Sequence, residues 1–152
     1  MQMDEPSQTA ALERLTAFVG EWSIEASFPD APLGRTLFEW LPGGQFLVQR
    51  WEVPHPSAPD GIAIIGLDAD ADGYLQHYFD SRGVARVYAM GFSAGVWTLT
   101  RDKPDFTPLN FSQRFRGVFG DDGGTIRGRW ETRADGSSWE PDFDLIYTRV
   151  RA

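Results

Sequence analysis

The 152-residue sequence predicts an all-β fold: a single antiparallel up-and-down barrel of about ten strands, preceded by a short N-terminal helix. Three observations carry that expectation. Glycine, proline and Asp-Gly pairs punctuate the chain roughly every ten residues after Gly20. The runs between them alternate polar and apolar residues, the period of a half-buried strand. A meander this long ends with two unpaired edges unless it closes, and closure removes them.

The helix is expected over residues 7–18. Ser7 is placed to cap it, Leu12, Leu15 and Phe18 share one side, and Gly20 ends it. Strands are expected at 20–28, 35–41, 46–53, 61–68, 74–80, 84–92, 96–102, 111–119, 125–132 and 142–149. Pro54 to Asp60 and Asp102 to Asn110 read as the longest loops after the first strands. No repeat or linker divides the chain, so residues 1–152 are expected to form one barrel domain, with the barrel over about 20–149.

Turn chemistry sets strand registers. Centring a hairpin on Asp122-Gly123 pairs Phe119 with Ile126, Gly117 with Gly128 and Phe115 with Trp130. Centring the next on Asp135-Gly136 sets Gly128 opposite Phe143 and Ile126 opposite Leu145. Both choices gather Phe115, Phe119, Ile126, Trp130, Phe143 and Leu145 on one face. The other face receives Arg114, Arg116, Arg127, Arg129, Asp142 and Asp144. Arg127 with Asp144, Arg129 with Asp142 and Arg114 with Glu131 then form a solvated ladder.

In the middle of the chain, a tight Asp80–Gly83 connection pairs Phe79 with Val84, His77 with Arg86 and Leu75 with Tyr88. An Ala94-Gly95 turn pairs Phe92 with Trp97, Met90 with Leu99 and Tyr88 with Arg101. The face holding these residues is large and mostly apolar, and is expected inside. It carries His77, Arg86, Tyr88 and Arg101 among Phe79, Met90 and Trp97, with Trp51 as a further wall residue. Inward arginines must be answered by a carboxylate, water or a bound anion, because an isolated buried charge is prohibitive. Asp80, Asp102 and Glu52 are the candidate internal partners.

Composition limits the function. The net charge of -8 argues against nucleic acid and against an anionic membrane surface. Cysteine is absent, so thiolate chemistry and cysteine-ligated metals are excluded. No apolar run is long enough for a membrane helix, and the first residues lack a signal-peptide pattern, so the expected location is the cytoplasm. Asp68-Ala-Asp70-Ala-Asp72-Gly73 imitates half of a calcium loop, but Phe79 stands where the closing acid belongs. It reads as an Asp-rich hairpin, and no metal site is expected. Ser81 lies beyond a turn from His77, which disfavours a serine triad.

A resemblance adds to this reading. Leu15-Thr-Ala-Phe-Val-Gly-Glu-Trp22 resembles the Gly-x-Trp opening of the calycin superfamily, which includes lipocalins, fatty-acid-binding proteins and nitrobindins. With Gly43-Gly-Gln-Phe-Leu-Val, Gly66-Leu-Asp, Phe79-Asp-Ser-Arg-Gly, Asp122-Gly and Asp144-Leu-Ile-Tyr-Thr-Arg, the set resembles an uncharacterised bacterial family of calycin-like barrels. The resemblance implies a barrel with an interior cavity and supplies no activity. Fatty-acid-binding barrels hold a carboxylate with an Arg-x-Tyr pair, and Arg86-Val-Tyr88 is similar in spacing though not in position. Nitrobindins bind haem through a histidine in the barrel. Here only His55 and His77 exist, and no haem is expected at His77.

The leading expectation is a binding protein that holds a small, mostly apolar ligand with an anionic or polar end. Its site is His77, Arg86, Tyr88, Arg101, Trp97, Met90, Trp51 and Phe79, and no cofactor is required. One alternative is a cofactor-free isomerase or cyclase using the same cavity, with His77 as acid or base. Another is a barrel filled by its own aromatic side chains and serving as an interaction module. A homodimer is a further open expectation.

Overall fold

The computed structural model describes residues 5–56, 58–68, 73–106 and 108–150. Helix α1 (Glu5–Arg14) runs into a 3-10 turn at Leu15–Phe18. Ten strands follow: β1 (Gly20–Ala26), β2 (Gly34–Trp40), β3 (Leu47–Glu52), β4 (Gly61–Asp68), β5 (Gly73–Asp80), β6 (Ala85–Ser93), β7 (Val96–Arg101), β8 (Ser112–Phe119), β9 (Thr125–Arg133) and β10 (Glu140–Arg149). Each pairs antiparallel with its neighbour in sequence, and β1 pairs with β10. The barrel is closed and up-and-down, as the alternating runs predict. Ser7 lies within α1 rather than at its cap, because the helix starts at Glu5. The change to 3-10 geometry suits the sequence: Leu12, Leu15 and Phe18 are three apart, and three residues per turn stack them on one line.

The registers show where turn chemistry is decisive. Phe119 faces Ile126, Gly117 faces Gly128, and Phe115 faces Trp130, as the Asp122-Gly123 turn requires. Ala94 (φ 51°) and Gly95 (φ 75°) make the expected two-residue turn between β6 and β7, and Met90 faces Leu99. The β9–β10 register differs by two residues. Gly128 faces Leu145, Ile126 faces Tyr147, and a bulge lies between Pro141 and Phe143. A two-residue shift keeps the faces, so Phe143 and Leu145 still turn inward. It moves the charge pairing, however: Arg129, not Arg127, meets Asp144 at 2.8 Å, and Arg127 faces Ile146. The bulge also brings Asp142 to the rim of the interior instead of the outer ladder.

The β5–β6 register slips by one residue, and that reverses a face. Tyr78 faces Arg86, Gln76 faces Tyr88, and Tyr74 faces Met90. The cause is a three-residue connection, Ser81-Arg82-Gly83. Asp80 accepts the Arg82 backbone N–H at 2.9 Å, and Gly83 takes φ 85°. Tyr74, Gln76 and Tyr78 therefore point into the barrel. Leu75, His77 and Phe79 lie on its outside.

One end of the barrel is packed solid. Phe18 enters it from the 3-10 turn and meets Phe38, Phe92, Trp97 and Phe119 at ring separations of 5.2, 4.8, 5.0 and 5.2 Å. Trp22 donates its indole N–H to the Phe18 carbonyl at 2.8 Å. The Arg149 guanidinium lies 4.1 Å from the Trp22 ring and donates to the carbonyls of Val19 and Ala17. Tyr74 ties α1 down through its hydroxyl to the Ala11 carbonyl at 2.6 Å. Removing the plug leaves a void that rigid strands cannot close. Phe18→Ala is expected to lower unfolding stability by about 3–5 kcal/mol in a urea titration.

Candidate functional site

The other half of the barrel is a cavity of about 1100 Å³, open at one end. The β1–β2, β3–β4, β5–β6, β7–β8 and β9–β10 connections all contribute to its rim, while α1 and the 3-10 turn close the far end. This follows from up-and-down order, which puts alternate turns at opposite ends. Apolar wall comes from Ile24, Trp51, Leu99, Phe115, Trp130 and Leu145. Small residues keep the space clear: Gly61 lies under the Trp51 indole, and the Phe115 ring lies against Gly117 and Gly128.

The structure distributes the expected site residues unequally. Arg86, Tyr88, Trp97 and Trp51 line the cavity. Trp51 stacks on Tyr78 at 5.3 Å and donates to the Pro59 carbonyl at 3.1 Å. Met90 is buried in the packed core, facing Tyr74 and Leu99. Arg101 is inward and only 3% exposed, but a carboxylate already answers it. Asp105, in the loop after β7, takes its Nε and Nη2 at 2.8 and 2.9 Å and also accepts the Val87 N–H. The neutralising acid is thus Asp105 rather than Asp80, Asp102 or Glu52. His77 and Phe79 are corrections: the β5 slip puts both outside, where Phe79 lies 6.5 Å from Phe106.

In place of His77 the interior receives amides and phenols. Gln113 accepts from Arg86 Nη1 and from the Tyr88 hydroxyl, both at 3.1 Å. Arg86 also lies 5.8 Å from the Phe111 ring, and among the described residues it makes no ion pair. Burial raises the Tyr88 phenol above its ordinary value, against the lowering effect of Arg86. Burial likewise raises Tyr147, although its side-chain hydrogen bond to Gln49 lowers it. These phenols are therefore neutral donors at physiological pH. Gln49, Gln76, Gln113, Tyr78 and Tyr147 were not singled out by sequence. For Gln76 and Tyr78 the signal is the polar-aromatic alternation Tyr-x-Gln-x-Tyr at 74–78, which a dry core would not carry.

Two of the cavity-lining residues carry a polar atom that is buried behind the wall and has no hydrogen-bond partner among the described residues: Gln76 Oε1 and Trp97 Nε1. At the rim, the Tyr78 hydroxyl donates to Asp80 at 2.6 Å and Arg82 Nη2 donates to the same oxygen at 2.6 Å. Burial alone would raise the Asp80 carboxyl, but the Arg82 and Tyr78 hydrogen bonds prevail and hold it at about 2. Ser81 is structural: its hydroxyl accepts the Asp60 N–H at 3.1 Å and joins two rim loops.

The nitrobindin resemblance raises the question of haem. His77 faces outward, away from the cavity, so it is not placed to ligate a haem inside the barrel, and His55 lines the cavity only from an exposed loop at its mouth. In the Asp68–Gly73 hairpin, Asp70 and Asp72 fall outside the described residues, while Asp68 and Gly73 pair as strand ends.

No protein-family model and no curated protein matches the sequence. Among solved structures the chain is similar to Rv2717c from M. tuberculosis, at 16% identity and a TM-score of 0.56, covering 93% of this chain and 98% of that one. The likeness shows a shared barrel fold. No helix among the described residues is long and apolar enough to cross a membrane.

The Asp80 arrangement has a consequence in acid. Its folded value of about 2 is below the ordinary value of about 3.9, so the unfolded chain binds more protons between those pH values. Its stabilisation is complete above about pH 4 and is lost as pH falls towards 2. Asp80→Asn is expected to lower stability at pH 7 and to flatten the pH 2–4 limb of an acid-unfolding profile. An unchanged limb would show that Asp80 does not carry it.

Proposed function

We propose that this is a calycin-like binding protein that holds a small, mostly apolar molecule by an acidic end. The observation that carries the reading is the half-empty barrel: a cavity of about 1100 Å³ with an apolar wall and, on that wall, an arginine outside every ion pair among the described residues. Burial of the ligand's body contributes about 25 cal/mol per Å² of apolar surface. Arg86 supplies the polar term. Its guanidinium is oriented by Gln113 and Phe111, and Tyr88 stands beside it as a second donor. The packing of Gly20, Trp22 and the 3-10 turn at the closed end supports the calycin-like reading.

The filled-barrel alternative loses support from the cavity itself. The enzyme alternative loses its base, since His77 is outside and the interior phenols are held protonated by burial. Binding needs only what the wall offers.

Dodecanoate and methyl dodecanoate separate the two energetic terms. Both are expected to quench fluorescence from Trp51, Trp97 and Trp130. Arg86→Met is expected to weaken dodecanoate roughly 10- to 100-fold, the loss of one charge-assisted hydrogen bond, and to leave the ester nearly unchanged. Equal weakening of both, or no binding of either to the native protein, would overturn the reading.

A further inference from the structure

The outer surface of the barrel is charged on one side and uncharged on the other. β1, β2, β3, β8, β9 and β10 each turn a charged side chain outward: Glu21, Arg35, Arg50, Arg114, Arg129 and Asp144. The contiguous strands β4 to β7 differ. Their outward positions hold no Lys, Arg or Glu, and their one Asp, Asp68, stands at the end of β4. They present Ile62 and Ile64 on β4, Leu75 and Phe79 on β5, and Val87 and Ala89 on β6. These side chains form one patch, since Ile62 faces Phe79, Ile64 faces His77, and Leu75 faces Ala89. Exposed phenylalanines mark its two ends. Phe46 lies against Gly66 at the closed end, and Phe106, 62% exposed, lies beside Phe79 at the open end.

An antiparallel sheet with one face in water carries its polar residues on that face. β5 reverses the rule, with Tyr74, Gln76 and Tyr78 inside and Leu75 and Phe79 outside. The cavity accounts for the polar inner side. It does not account for the apolar outer side, which is the mark of a surface that another molecule covers.

We infer that this face is the interface of a homodimer, in which β4 to β7 of one copy pack on β4 to β7 of a second. Charge selects the second copy as the occupant. Each copy carries a net charge of -8, so two copies repel overall. A two-fold contact also sets a patch against itself, and a patch without charges meets itself with no like-charge pair. A different protein would be recognised through complementary charges, and the centre of this face offers none. Size agrees. At about 4.8 Å between strands and about 3.3 Å per residue, the patch measures roughly 19 Å by 25 Å. That makes the dry centre of a dimer interface, where charged residues are depleted. Arg50 and Glu52 on β3 and Arg114 on β8 flank it as a polar rim, on the way to about 800 Å² per partner. The dimer is independent of what the cavity binds.

Sedimentation equilibrium of the native protein at micromolar concentrations is expected to give twice the 17.0 kDa of the chain. Leu75→Glu and Ala89→Glu each place a carboxylate at the centre of the face in both copies. Ala89 is already exposed, so its variant keeps the fold even where Leu75→Glu does not. Each is expected to weaken the dimer at least about 100-fold, because like charges then meet in a dry contact. Arg127→Glu, on β9 and away from the face, is expected to leave the dimer intact. A mass of 17.0 kDa for the native protein would overturn the inference. So would a dimer that survives Ala89→Glu, or one that Arg127→Glu dissociates equally well.

Discussion

A closed barrel of ten strands encloses more volume than its inward side chains fill, and everything else here depends on how that volume is divided. Phe18 makes the division. It is delivered by a single 3-10 turn, contacts four aromatic rings, and is locked behind by Trp22 and Arg149. Below it the interior is dry and close-packed. Above it the walls enclose open space, because Gly61, Gly117 and Gly128 let the Trp51 and Phe115 rings lie flat against the strands.

Division of the interior also decides the fate of the arginines. In the packed wall, Arg101 is tolerated because Asp105 meets it with two hydrogen bonds and both are desolvated together. On the outer surface, Arg35, Arg114 and Arg129 pair with Glu21, Glu131 and Asp144 in water, where each pair contributes little. Arg114 and Arg133 also flank the Trp139 ring at 4.2 and 4.6 Å. Arg86 belongs to neither group. It faces the cavity, and an amide rather than a carboxylate holds it.

The barrel was legible in the sequence because punctuation and alternation agree along the chain, and symmetric turns such as Ala94-Gly95 fix their own register. Asp122-Gly123 also gave the right pairs, although the loop is longer than two residues, because its centre is unchanged. The site was less legible, for one physical reason. Face assignment assumed that the more apolar side of β5 turns inward. Here the inner side carries Tyr74, Gln76 and Tyr78, while Leu75 and Phe79 rest outside. The arrangement Asp80-Ser-Arg-Gly83 held the correcting signal. An Asp that accepts backbone N–H groups, followed three residues later by a left-handed Gly, denotes a three-residue turn and a one-residue slip. Asp105 was out of reach of any strand register, since it arrives from a loop.

The central claim is that the open half of the barrel binds an apolar acid head-to-mouth, with its tail at the floor. Crystals soaked with a bromine-terminated dodecanoic acid test it directly through the anomalous signal of bromine. The account predicts one peak beside Trp97, Leu99 and Tyr147, with the carboxylate within hydrogen-bond reach of Arg86. A peak at the rim beside Phe28 or Asp142, or on the outer face beside Phe79 and Phe106, would contradict it.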